Sequence, residues 1–193
     1  MPRIRAEVEE ARARADEWID WIERDEVESG LPPLPMPDGD TCACMAVRAW
    51  DLVEEDPALA EAIGSVIVGR TLRGPLATFR GGELLADGLL ILAEARRRRG
   101  DLDAAEKLQR RVRIALPRGF ADPLTAARLL EEEAEVLAAR GRYAQAAAKA
   151  CEALRECEAF AFESSLDRLR HKIAEWVAAS DPPGGSAGPR RVT

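Results

Sequence analysis

The sequence predicts an all-α protein: an array of about three helical hairpins, preceded by an amphipathic helix and closed by a capping helix. Three observations carry that expectation. Alanine, leucine, glutamate and arginine dominate, while valine, isoleucine and threonine are sparse, and no stretch alternates apolar with polar residues as a half-buried strand would. Apolar residues recur instead at helical spacing. Two turns, "ARRRRGDLDAAEKL" and "LAARGRYAQAAAKA", repeat one another at a fixed offset. At 193 residues the chain is long enough to bury a sizeable core.

Residues 3 to 29 read as the first helix. Ile4, Val8, Ala11, Ala15, Trp18 and Ile22 form a heptad seam over three repeats. The seam serves either to lay the helix on the rest of the protein or to bind a partner, a homodimer included. Trp21 lies off it and is left for another contact. Four prolines in "LPPLPMPDGD" then mark a linker over residues 31–40.

Thr41 is placed to cap "CACMAVRAWDLVEE", and Asp56-Pro57 is a cap followed by proline at the first helical position. "GRTLRGPLATFRGG", Gly69 to Gly82, reads as a connector. It has four glycines and three arginines, but neither a preceding strand nor the Lys-Ser/Thr ending of a phosphate loop. Beyond it, "ELLADGLLILAEARRRR" stops at Gly100, and Asp101 caps a helix that stops before Pro117. Asp122-Pro123 opens another, which ends at Gly141 and is followed by "RYAQAAAKACEALRECEAF". Leu166, Leu169, Ile173 and Trp176 give the last helix one apolar face. The repeat domain is thus expected over residues 41–179, and the Gly/Pro/Ser-rich segment 180–193 as a disordered tail.

In the repeated turns, Gly100 pairs with Gly141, Leu102 with Tyr143 and Ala105 with Ala146, always 41 residues apart. A period of this size signals stacked helical hairpins. The glycine allows a left-handed helix end. The alanine lets the second helix approach the first.

These residues resemble the tetratricopeptide repeat family. Leu89, Leu92, Ala93, Gly100, Leu102, Ala105 and Pro117 match its pattern in one unit. Leu130, Ala134, Leu137, Gly141, Tyr143, Ala146 and Ala153 match it in the next. A degenerate earlier unit spans Thr41 to Gly69, with Ala60 as its packing alanine. The clear resemblance covers residues 83–160. The chain departs from the family in its longer period, in Arg96 where an aromatic is usual, and in Glu158 at the second proline position. The resemblance implies a right-handed α-solenoid whose inner groove, lined by first helices, holds a peptide or partner helix. By the family's spacing, Asp87, Leu90, Glu94 and Arg97 face that groove in one unit, and Arg128, Glu131 and Glu135 in the next. Such a groove is mixed or acidic and calls for a basic or amphipathic ligand.

Arg96 to Arg99 occupy the last turn of a helix, where cations favour the negative end of the dipole, and can pair with Glu131, Glu132 and Glu133. The formal net charge of −7 argues against bulk nucleic-acid binding, and no aromatic residues interleave with the arginines. Cys42 and Cys44, and Cys151 and Cys157, sit about 200° and 240° apart around a regular helix, which suits core packing better than zinc. His171 is the only histidine and reads as a surface residue. No paired acid/base geometry, nucleophile elbow or cofactor loop is legible, so neither an enzyme nor a cofactor is expected.

No signal-peptide pattern or membrane span is visible, so a cytoplasmic protein with reduced thiols is expected. The Ala/Arg/Glu bias suggests a GC-rich bacterial genome. The expected function is a protein-interaction module, a scaffold or adaptor. The alternatives are a regulatory subunit or peptide sensor controlling a toxin or transcription factor, and a homo-oligomer assembled through the N-terminal helix.

Overall fold

The computed structural model describes residues 2–24, 35–73, 79–116, 123–160 and 162–180. Among these residues there are eight α-helices and no strand: α1 (Pro2–Glu23), α2 (Gly39–Leu52), α3 (Pro57–Arg73), α4 (Phe79–Arg98), α5 (Leu102–Ala115), α6 (Pro123–Ala139), α7 (Tyr143–Ala159) and α8 (Glu163–Ser180). Each helix packs on the next. In addition α1 packs on α3, α2 on α4, and α4 on α6. Residues 25–29 of the first expected helix, linker residues 31–34, Pro117, Asp122 and residues 181–193 lie outside the described residues. Ser180, expected to open the tail, is the last residue of α8.

The two repeated turns share the same pair of helix-ending hydrogen bonds. Gly100 and Gly141 have φ of +83° and +72°, a region that favours residues without a Cβ. The Gly100 N–H donates to the Arg97 carbonyl at 2.8 Å and the Asp101 N–H to Arg96 at 2.9 Å. The Gly141 N–H donates to Ala138 at 2.8 Å and the Arg142 N–H to Leu137 at 2.9 Å. Both are Schellman ends, which satisfy carbonyls that a helix terminus otherwise leaves bare. Asp101 then caps α5 by accepting from the Ala104 N–H at 3.1 Å, whereas Arg142 makes no side-chain cap.

Small residues hold the helices close. Ala60, Ala93, Ala105, Ala134, Ala146 and Ala153 are all fully buried. Between α3 and α4 the contact is tighter still: a Cβ on Gly64 would lie 3.2 Å from the Gly88 carbonyl oxygen. Larger apolar residues fill three adjoining clusters. One joins α1 to α4 around Met45, Ile63 and Ile67. A second, around Leu89, Leu90, Val112 and Leu129, joins α3 to α6. The third joins α6, α7 and α8 through alanines, Leu169 and Trp176.

Three local expectations need correction. Most of Gly69–Gly82 is helical, since α3 runs to Arg73 and α4 begins at Phe79. Burial of Ile67, Val68 and Thr71 outweighs the glycine signal, and the Thr71 hydroxyl donates back to the Ile67 and Val68 carbonyls at 3.0 Å. The cap of α2 is Asp38, whose carboxylate accepts from the Thr41 N–H at 2.8 Å; Thr41 itself is buried. Trp21 packs edge-on against Trp18, ring centroids 5.7 Å apart, in the same core as the seam.

Glycine substitutions should separate these backbone roles by sign. Gly100→Ala and Gly141→Ala each place a Cβ at positive φ and should lower stability by about 1 kcal/mol. Gly69→Ala sits in a helix with open space around its Cβ and should raise stability by about 0.5–1 kcal/mol. Urea unfolding of the three variants measures both signs.

Candidate functional site

A concavity of about 750 Å³ opens on the side of the molecule where α2, α4, α6 and α8 come together. Trp50, Asp51, Val53 and Glu54 line it from α2 and the turn that follows. Glu94, Arg97 and Arg98 come from α4, and Leu124, Arg128, Glu131, Glu132 and Glu135 from α6. Phe162, Ser165, Arg168 and Lys172 complete it at α8. The helical period explains the sets: residues 94, 97 and 98, and 128, 131, 132 and 135, are spaced by three and four and share one face.

Glu94, Arg97, Arg128, Glu131 and Glu135 were expected in a groove, and all five line this one. Asp87 and Leu90 do not. Asp87 accepts a bond from the Thr125 hydroxyl at 3.1 Å and ties α4 to α6. Leu90 is fully buried in the α3–α6 cluster with Val112 and Leu129, so it is a core residue and unavailable to a ligand. Arg97 lies on much the same flank of α4 but its long side chain reaches out to the concavity. Of the N-terminal seam, Ala11, Ala15, Trp18 and Ile22 are buried, whereas Ile4 and Val8 are exposed.

At the floor, the Arg97 Nε–H donates to Glu132 Oε1 at 2.8 Å. Glu94 and Glu135 stand 3.5 and 3.8 Å from the same guanidinium. Glu132 is 4% exposed, and Gln109 of α5 donates to its backbone carbonyl at 3.1 Å. Burial pushes the Glu132 carboxyl up to about 8, Glu94 and Glu135 push the same way, and Arg97 pulls against them. Burial works to lower the Arg97 pKa too, but Glu132, Glu135 and Glu94 outweigh it and the net shift is upward.

Toward α8, Arg168 bonds Glu131 at 2.8 Å, and Lys172 bridges Glu131, at 3.2 Å, to Glu135. The Arg128 guanidinium lies 4.6 Å above the centre of the Trp50 ring, a cation–π contact that spans from α6 to α2.

Of the four consecutive arginines, only Arg97 pairs with the next hairpin's acids. Arg98 binds Glu94 at 2.8 Å and Glu54 at 3.0 Å, Arg99 binds Glu61 at 2.7 Å, and Arg96 pairs with Glu61 and Asp101. Sequence reasoning missed Trp50, Asp51 and Glu54, in the stretch where the resemblance is weakest, and Arg168 and Lys172, in the helix expected to act as a cap. The spacing of Arg168 and Lys172, on the flank beside Leu169, Ile173 and Trp176, was the available signal.

All four cysteines are free thiols; burial raises Cys42 to about 11, and also raises Cys44 and Cys157. His171 is exposed, 3.2 Å from Glu175. Among the described residues, no three or more His, Cys, Asp or Glu side chains are grouped to hold a metal ion, and no helix is long and apolar enough to cross a membrane. No family model, curated protein or solved structure matches the chain.

In the folded chain Glu132 keeps its proton to about pH 8, whereas an unperturbed glutamate loses it near 4.5. Between those values the unfolded state binds fewer protons, so this group makes the fold less stable as pH rises from about 4.5 through 8. Glu132→Gln removes that dependence. Relative to wild type, the variant should gain on the order of a few kcal/mol between pH 5 and pH 9. Urea unfolding at pH 5, 7 and 9 measures the difference, and one that stays constant with pH would contradict a protonated buried carboxyl.

Proposed function

We propose that the chain is a tetratricopeptide-like α-solenoid. In this reading it is a non-catalytic interaction module, a cytoplasmic scaffold or adaptor, and holds a peptide or amphipathic partner helix in the concavity. The matched turns and the buried alanines at the repeat positions support the array. The stacking of α2 on α4 and α4 on α6 is the order in which first helices of successive hairpins meet. Cytoplasmic reducing conditions agree with four unpaired cysteines.

One observation carries the binding role. The floor charges are tied up with each other, while the rim charges are open to solvent. Side-chain exposure is 15% for Arg97 and 15% for Glu94, but 64% for Asp51, 74% for Glu54 and 54% for Arg168. A partner meeting this rim exchanges only exposed pairs and leaves the buried Arg97–Glu132 bond between α4 and α6 intact.

Arg128→Glu tests this reading because it inverts a groove charge and ends the contact with Trp50. Tagged wild type, Arg128→Glu and the control Arg155→Glu, an exposed site on α7 that does not line the concavity, are used for affinity capture from native lysate. A partner held by wild type and control but reduced at least tenfold with Arg128→Glu is expected, with circular dichroism showing all three equally helical. Equal recovery by all three would place the interaction elsewhere.

A second reading, self-association through α1, is favoured by Ile4 and Val8, which are 67% and 43% exposed at the start of the seam. Light scattering of wild type and an Ile4→Asp/Val8→Asp variant distinguishes the two: the adaptor reading expects the same mass for both, and self-association expects a larger species lost in the variant.

A further inference from the structure

The charges of the concavity are sorted by wall. The α2 side contributes Asp51 and Glu54 and no cation. The α8 side contributes Arg168 and Lys172 and no anion. Between them, on α4 and α6, Arg97, Arg98 and Arg128 stand among Glu94, Glu131 and Glu135, and the Glu132 carboxyl carries a proton, so the floor is close to neutral and largely shielded from solvent. A ligand crossing the concavity therefore meets an acidic wall first and a basic wall last.

All four wall charges are already paired, but Asp51, Glu54 and Arg168 stay open to solvent, whereas Lys172 is 27% exposed and held by both Glu131 and Glu135. Asp51 has Arg48 at 3.9 Å and Glu54 has Arg98 at 3.0 Å, and both carboxylates are mostly exposed. Arg168 bonds Glu131 yet remains half exposed. Exposed pairs of this type hold weakly, and a ligand charge can exchange with or add to them. The middle of the path has its own features: the Arg128–Trp50 stack and the half-buried side chains of Leu124 and Phe162.

We infer that the concavity takes an extended peptide segment of another protein with its charge ordered end to end, basic residues over α2 and acidic residues over α8. The inference rests on the reading of the concavity as a peptide groove, and adds the charge order. Three steps of about 10 Å between neighbouring first helices set an upper span of roughly 30 Å, or about nine extended residues. The ligand's charge sense differs from that expected on the α4 and α6 residues alone, because α8 supplies a cationic wall.

Four fluorescent nine-residue peptides with the same apolar residues test this. One has lysines in its first half and glutamates in its second, and one has the same composition with the charges interleaved. The other two carry only lysine or only glutamate as the charged residue. Fluorescence anisotropy with the full chain should show the segregated peptide binding about tenfold tighter than the interleaved one, with the margin shrinking as salt is added. Asp51→Lys/Glu54→Lys makes both walls basic and should move the preference to the all-glutamate peptide. Both sites are exposed, and circular dichroism checks that the variant is as helical as wild type.

Equal binding of segregated and interleaved peptides, with both lost on Arg128→Glu, would overturn the charge order and leave the groove standing. Tight binding of the all-lysine or all-glutamate peptide to wild type would also overturn the order. Absence of binding by all four, or binding indifferent to both Arg128→Glu and the wall variant, would overturn this inference together with the groove reading.

Discussion

The architecture turns on the meeting of Arg97 with Glu132. The two side chains are 15% and 5% exposed and lie 2.8 Å apart, joining the end of α4 to the middle of α6. A buried carboxyl and a buried guanidinium each lose hydration on folding, so neither position is tolerable without the other's hydrogen bonds. Glu94 and Glu135 balance the guanidinium when the Glu132 carboxyl is protonated. Once Glu132 ionises, the pair becomes an ionic link between neighbouring hairpins. Gln109 adds α5 to the same point through the Glu132 carbonyl. Three helices from two hairpins thus converge on one residue, and the concavity opens directly above it.

The apolar packing sets the distance at which this link can form. Alanines at 93, 105, 134 and 146 are completely buried and let helix axes approach closely, while Leu89, Leu90, Val112 and Leu129 fill the space between α4, α5 and α6. A larger residue at an alanine seam would separate the helices and typically cost 1–3 kcal/mol. It would also draw Arg97 away from Glu132. Close packing along α4 and charge pairing at its end are consequently not independent. The exposed rim charges stand outside this coupling, which leaves them available for recognition.

The all-helical character and the two glycine turns were legible because they are written in local chemistry. Gly100 and Gly141 lie at positive φ, and their flanking residues build the same hydrogen-bonded end. Asp56 caps α3 as its sequence implies, accepting from the Leu59 N–H at 2.9 Å. Errors arose where tertiary burial decides. The stretch around Gly69 looks like a connector in sequence, yet its apolar neighbours are buried and hold it helical. Asp38 and Thr41 are both good capping residues, and only the backbone path selects between them. Five of the seven residues that the family resemblance assigned to a groove line the concavity. Leu90 was misplaced since α6 covers its flank of the helix. The opposing walls were not legible, because which distant helices face each other across a concavity depends on how all the helices pack together.

The most direct test of the central link is a double-mutant cycle on Arg97→Leu and Glu132→Leu, with stability measured by urea unfolding at pH 6 and pH 9. Removal of one partner leaves the other buried without compensation, so the single variants should each lose more than half of the double variant's loss. The coupling energy should reach about 2 kcal/mol at pH 9 and be smaller at pH 6, where the carboxyl keeps its proton. Additive losses within about 0.5 kcal/mol at both pH values would mean that the two side chains do not depend on one another, and would contradict a buried link between the hairpins.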